Sequence, residues 1–210
     1  MKIFITGTST DVGKTISSAI ITEALEADYW KPIQSGDLDN SDSMKVGRLI
    51  SNPKSVIHKS SYEFKTPASP HLSAALENQT IELSKIVEPE TTNHLVIEGA
   101  GGLLVPLNDH DVIADLIRHD YKVIIVATNY LGSINHTLLT IEGLKARNVE
   151  VAGIVFSGES NKSSEEMILN RSGVRCIGRI EKEPYFDQNV ILEYADKFRS
   201  ELLALNEPNA

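Results

Sequence analysis

Between residues 95 and 177 short, continuously apolar runs alternate with longer helical patterns. The runs are Leu95–Ile97, Val123–Ala127 and Val151–Phe156, and Val174–Ile177, which carries Arg175, reads as a fourth strand. A strand that is apolar at every position has two faces to bury. Only a sheet covered on both sides buries both, and helical crossovers supply that cover and make the strands parallel. Apolar residues recur at three- and four-residue intervals over about 111–118, 134–146, 162–171 and 190–203, which predicts the covering helices. The amino-terminal part repeats the scheme. Lys2–Thr6 reads as a strand, Ile16 to Ala27 as a helix, and Asp28–Lys31 as a second strand stopped by Pro32. Residues 34–45 are polar and turn-rich, with a helix expected from near Asp42. Residues 59–70 read as irregular, with Pro67 and Pro70 as breakers. Leu72–Leu76 and Ile81–Val87 are candidate short helices.

The chemistry enters at the first strand–turn–helix junction. Gly7-Thr8-Ser9-Thr10-Asp11-Val12-Gly13-Lys14-Thr15 leaves the strand and opens the helix. In such a loop Lys14 reaches the β and γ phosphates of a nucleotide, the Thr15 hydroxyl binds Mg²⁺, and helix-start N–H groups cradle oxygens. The usual pattern has glycine five residues before Gly13; here that position is Thr8. The fold expected is α/β, a mostly parallel sheet flanked by helices in three P-loop NTPase-like layers. At 210 residues the chain makes one domain, over 1–205, with a frayed tail at 206–210.

Other residues admit two readings each. Glu98 ends an apolar strand, where ligands collect in open α/β sheets, so it orients Mg²⁺ or caps a turn. Asp42 binds metal or caps its helix. Lys31 stabilises charge beside the nucleotide or is a solvated lysine, and Ser35 can donate from the same loop. Asp11 accepts a proton from a substrate ammonium or only shapes the turn. Gly132-Ser133-Ile134-Asn135 begins a helix whose free N–H groups suit a carboxylate or phosphate, or is a routine helix start. The single cysteine, Cys176, lies in an apolar strand pattern and is expected in the core.

Composition narrows the partners. The formal charge is −9, which argues against a nucleic-acid or anionic-membrane surface. No apolar run reaches 18 residues and the first strand begins at residue 2, so neither a membrane span nor a signal peptide is expected. The histidines show no paired ligand spacing, and no GxSxG elbow occurs. A soluble cytoplasmic protein is the expectation.

Taken in order, the phosphate loop, Lys31-Pro32-Ile33-Gln34-Ser35-Gly36, Asn40-Ser41-Asp42, Pro67-Ala68-Ser69-Pro70-His71, Glu98-Gly99-Ala100-Gly101-Gly102 and Leu131-Gly132-Ser133-Ile134-Asn135-His136 resemble the dethiobiotin synthetase family. The resemblance runs from residue 2 to about 158 and is fainter beyond. It implies a homodimer that carboxylates 7,8-diaminononanoate with CO₂ and closes a ureido ring using ATP and Mg²⁺. Carried onto this sequence, it makes Lys14, Lys31, Thr10 and Asp11 catalytic, and Thr15, Asp42 and Glu98 the metal partners. Nucleotide contacts fall on Asp11, Val12, Gly13, Lys14, Thr15, Ile16, Glu98, Gly99, Gly101, Gly102 and Ser157. Ser35 and Pro70 would meet the diamine. Gly132, Ser133, Ile134 and Asn135 would come from the second subunit to receive the substrate's distal carboxylate.

The sequence departs from the family at two places. Ser157 stands where many members have asparagine for the adenine edge, and Glu181 where proline is usual. One hydroxyl cannot make a paired amide contact, so base reading through residue 157 is expected to be weak. Two rivals share the phosphate loop: another P-loop ligase or kinase, and a nucleotide-switched partitioning ATPase. The second class usually carries an early loop lysine where this chain has Thr10.

Overall fold

The computed structural model describes residues 1–206. Its elements in chain order are β1 (Lys2–Gly7), α1 (Lys14–Leu25), β2 (Asp28–Trp30), β3 (Ile33–Ser35), α2 (Asp42–Leu49), β4 (Ile57–His58), β5 (Tyr62–Phe64) and α3 (Pro70–Leu76). There follow β6 (Leu95–Gly102), β7 (Tyr121–Thr128), α4 (Ser133–Lys145), β8 (Val151–Ser157), α5 (Lys162–Ser172), β9 (Cys176–Ile180) and α6 (Gln188–Ala204). Seven strands form one parallel sheet in the order β4-β2-β6-β1-β7-β8-β9.

Side-chain alternation explains the continuous apolar runs. Ile3, Ile5, Val96, Ile124, Val126 and Val155 point into a core shared with α1 and α6. Their neighbours Phe4, Ile97, Ile125, Ala127, Ile154 and Phe156 point into the opposite core, with Ile141 and Leu144 of α4 and Ile168 of α5. Each of these strand residues is therefore buried by one layer or the other, as the sequence pattern requires. Strand β1 is central, and its successors in the chain lie on both of its sides. That order makes a crevice at the carboxyl ends of the strands, where the phosphate loop emerges.

Several expected elements are corrected. Residues 59–70 are not wholly irregular: Tyr62–Phe64 pairs in parallel with Ile33–Ser35 as a second, two-stranded sheet. Strands of three residues are too short to show a period. The helices expected at 111–118 and 81–87 shrink to 3₁₀ turns at Ile113–Leu116 and Leu83–Lys85. The last strand is shifted to Cys176–Ile180. Cys176 is exposed rather than core. It opens the edge strand, and alternation turns it away from Ile177, which fills the α1/α6 core. Within the tail expected to fray, Asn206 ends a turn and 207–210 lie outside the described residues.

The β2 end of the sheet is tied by one carboxylate. Asp28 is buried and accepts hydrogen bonds from the Val56 amide (3.0 Å), His58 Nε2 (3.1 Å), Thr91 Oγ1 (2.7 Å) and Asn93 Nδ2 (3.2 Å). Burial alone would raise its pKa; the bonds from Thr91, Val56, His58 and Asn93 outweigh that and hold it below the ordinary carboxylate value. A depressed folded value contributes stability above the unfolded value, about 3.9, and the contribution is lost as pH falls through the folded value. Asp28→Asn is expected to cost about 1–3 kcal/mol near neutral pH. Denaturant unfolding at successively lower pH should show the gap to the unaltered chain closing. A pH-independent gap would rule out this account.

Candidate active site

The strand ends surround a cleft of about 1280 Å³. Its floor is the phosphate loop. Gly13 caps α1 in a left-handed conformation (φ 92°), open to glycine at little cost, and so starts the helix directly at Lys14. Asp11 is also left-handed (φ 57°), which aspartate tolerates better than most residues. Thr10, Asp11, Gly13, Lys14, Thr15 and Ile16 all line the cleft. Val12 does not: its side chain is buried in the α1 core, so only its backbone is available to a ligand.

Lys14 is buried and donates to the Ser9 carbonyl at 2.9 Å, across the loop. Burial pushes its pKa down to about 8; the Lys31 charge adds to this and the Glu98 carboxylate opposes it. The lysine is thus poorly solvated despite the carboxylates near it, and a phosphate would favour its charged form.

Beside it lies a buried polar cluster. Glu98, in the middle of β6, is 1% exposed. Its Oε1 accepts from Thr15 Oγ1 at 3.0 Å and from Lys31 Nζ at 2.8 Å. Lys31 also pairs with Asp42 Oδ2 at 2.6 Å. Lys31 is 5% exposed, so it is not a solvated lysine. Burial alone would lower its pKa, but the Glu98 and Asp42 carboxylates outweigh that and raise it. For Asp42 burial works upward, and Lys31 with Lys45 pulls the carboxyl below its usual range. Nor does Asp42 cap its helix. Ser41 does so, accepting from the Met44 amide at 3.3 Å, which leaves Asp42 free to face the cleft.

These groups test whether Mg²⁺ fits. Thr15 Oγ1 and oxygens of Glu98 and Asp42 converge where a lysine ammonium already bridges the carboxylates. The site is arranged for positive charge, and its donors are hard oxygens, which suits Mg²⁺ held jointly with phosphates. Among the described residues no three His, Cys, Asp or Glu side chains form a metal cage.

The remaining candidates divide. Ser35 and Pro70 line the cleft beside Lys31, and the buried Ser35 Oγ has no hydrogen-bond partner among the described residues. Gly101 lines it too, but Gly99 and Gly102 do not. A Cβ on Gly99 would lie 3.2 Å from the Ile5 carbonyl, and one on Gly102 3.5 Å from the Gly7 carbonyl. Gly99 thus lets β6 approach β1, whereas the distance at Gly102 is ordinary van der Waals contact. Ser157 is also outside the cleft lining: a Cβ on Gly13 would lie 2.7 Å from its Oγ, so it backs the phosphate loop. Gly132, Ser133, Ile134 and Asn135 lie away from the cleft of their own chain, beside the fully exposed Leu131.

Sequence reasoning missed part of the wall. Phe186, Asp187, Gln188 and Asn189 line the cleft from the start of α6, and Lys45 and Arg48 from α2. Asp187 caps α6 by accepting from the Val190 amide at 2.9 Å. An aspartate three residues before an apolar helical run was the available signal. Tyr29, donating to Glu98 Oε2 at 2.9 Å, gave no local signal at all.

Comparison with known proteins bears on both the fold and the family. A family model described as an AAA domain matches residues 1–190. Among solved structures, the fold resembles the MinC:MinD cell division protein complex of Aquifex aeolicus, with a TM-score of 0.59 at 14% identity. That match covers 100% of this chain and 98% of the other. A ParA family ATPase from Chlorobium tepidum aligns with a TM-score of 0.56 at 13% identity, over 96% and 97% of the two chains. Likeness at that identity speaks for the P-loop fold alone. Sequence relatives are much nearer. The ATP-dependent dethiobiotin synthetase of Christiangramia forsetii is 55% identical, covering 95% of this chain and 96% of the relative. That of Cytophaga hutchinsonii is 50% identical over 93% and 96%. That of Agrobacterium fabrum is 44% identical over 88% and 87%. With the phosphate loop, Lys31, Asp42 and Glu98 meeting in one cleft, this chain belongs to the ATP-dependent dethiobiotin synthetase family.

Proposed function

We propose that the cleft carboxylates 7,8-diaminononanoate with CO₂ and closes the ureido ring of dethiobiotin at the expense of ATP. The observation that carries this reading is Lys31. A generic ATPase has no use for a buried lysine between the phosphate loop and an open polar wall. A ligase that makes an anionic carbamate beside the γ-phosphate does.

An uncharged amine of the diamine attacks CO₂ and becomes a carbamate. Ser35, whose hydroxyl lacks a partner, and the Pro70 wall hold the diamine end, with Asp11 at the cleft edge as proton acceptor. A carbamate oxygen then attacks the γ-phosphorus and ADP leaves. Lys14, Thr10 and the loop amides stabilise charge on the equatorial oxygens. Mg²⁺ held by Thr15, Asp42 and Glu98 would neutralise phosphate charge. The second amine attacks the mixed anhydride's carbonyl carbon, phosphate leaves, and the ring closes with the advantage of an intramolecular step. Lys31 has two carboxylate partners at rest and can turn to the carbamate as the cation and phosphates arrive.

The substrate's distal carboxylate is received by Gly132–Asn135 of a second copy. Support comes from their position off the chain's own cleft and from exposed Leu131, Tyr130 and Leu139 around them. The working unit is a homodimer of P-loop domains over 1–205 in the cytoplasm. Among the described residues no helix is long and apolar enough to cross a membrane.

Phosphate release tests the reading. With ATP and Mg²⁺ it should rise on the order of tenfold or more only when diamine and bicarbonate are both added. Equal release without the diamine would favour a nucleotide-switched ATPase and sink the ligase reading.

A further inference from the structure

Glu98 has two oxygens with different company. Oε1 meets Thr15 and Lys31, the groups assigned above to Mg²⁺ and to the carbamate. Among the described residues Oε2 has one partner, the Tyr29 hydroxyl at 2.9 Å. Tyr29 is fully buried in the α1/α6 core, one strand away, paired in register with Val96 of β6. Alternation puts Val96 and Glu98 on the same face of β6, so the phenol reaches the carboxylate along that face. Among the described residues its hydroxyl has no other hydrogen bond.

This asymmetry matters because a glutamate's terminal torsion is broad and nearly two-fold. Thr15 and Lys31 can orient the carboxylate only while the cleft is empty. The phenol can do so in every state, because it has nowhere else to turn. It also satisfies an oxygen that would otherwise be a buried, unpaired carboxylate atom.

We propose that Tyr29 is the positioning residue of the candidate Mg²⁺ site: its hydroxyl holds Glu98 so that Oε1 faces the cation. The inference rests on the reading of Glu98 as a metal partner. Tyr29 does not line the cleft and would act only through Glu98.

Tyr29→Phe keeps the ring and removes the hydroxyl. In the nucleotide-loaded protein, Mn²⁺ binding followed by electron paramagnetic resonance should weaken by about 10-fold or more, the usual scale for losing such an outer contact. Nucleotide affinity without metal should stay within about twofold, because the phosphate loop is untouched. A merely structural tyrosine would lower the thermal midpoint and leave the Mn²⁺ constant where it was. Adding Tyr29→Phe to Glu98→Gln should weaken Mn²⁺ no further than Glu98→Gln alone. Unchanged Mn²⁺ affinity in folded Tyr29→Phe, or additive losses in the double variant, would overturn the proposal. If Glu98→Gln itself leaves Mn²⁺ binding unchanged, the metal-site reading fails and the proposal with it. If Glu98→Gln weakens it and Tyr29→Phe does not, only the proposal fails. Should Tyr29→Phe not fold, fluorotyrosine in the otherwise unaltered chain carries the test. Its Tyr29 fluorine resonance must move when Mg²⁺ joins the nucleotide complex, and no movement rejects the role.

Discussion

Lys14→Ala is expected to lower diamine-dependent phosphate release on the order of 10²-fold or more, with the fold intact. The loss belongs to the transition state, where charge spreads over the γ-phosphoryl oxygens within reach of the ammonium. Burial has already removed this lysine from water, and its pKa is down to about 8. Its charge is therefore poorly solvated before nucleotide arrives, so the phosphates gain more from it than from a surface lysine. A pH signature follows. Below about 8 the empty site is charged, and above it the charge is lost. Nucleotide affinity of the unaltered chain should fall as pH rises through that value, and Lys14→Ala should flatten the fall. Calorimetry across that range, with turnover of the purified variant, decides the matter. Turnover near that of the unaltered chain in a folded Lys14→Ala would remove the lysine from the mechanism.

Lys31→Met separates the ligase from a generic ATPase. The variant keeps most of the apolar stem and removes the ammonium that bridges Asp42 and Glu98. Phosphate release with saturating ATP, diamine and bicarbonate should drop by about 10²-fold or more, the scale for one lost charge-stabilising donor. The carbamate forms only during the reaction, so the loss should appear in kcat as well as KM. Metal-free nucleotide binding should change little. The resting protein should also lose stability, because the buried Glu98 carboxylate is left without its cation, while Asp42 keeps Lys45 at 3.6 Å. If the variant keeps more than about half of kcat with an unchanged diamine KM, the lysine is only a counter-ion for its two neighbours.

Much of the site was legible because its signals are local. The triplet Gly13-Lys14-Thr15 lies at a strand–turn–helix junction, and that junction is set by the chemistry of about a dozen consecutive residues. Glu98 was legible for a similar reason: a charged residue directly after Leu95-Val96-Ile97 interrupts an otherwise apolar strand. The glycines that follow misled in part. A glycine run reads the same whether it lines the cleft, as at Gly101, or makes room for a neighbouring strand, as at Gly99. Cys176 misled because an apolar pattern does not say which strand ends up at a sheet edge.

The sequence alone determined the layers, since runs such as Val123–Ala127 leave no face for solvent, and it marked the loop between β1 and α1 that is proposed to hold phosphates. Tertiary structure alone decided the state of the charges. Lys31 and Asp42 are eleven positions apart in the chain, and Glu98 lies far beyond both. Whether Lys31 is solvated or buried between them depends on the order β2-β6-β1 and on α2 packing over β2, neither of which a local pattern encodes. The same holds for Tyr29, an ordinary core aromatic by sequence, whose hydroxyl acquires a partner only because β6 is placed beside β2. Hydrophobic periodicity acts between near neighbours and is written along the chain; desolvation and ion pairing act through space and follow from the sheet order.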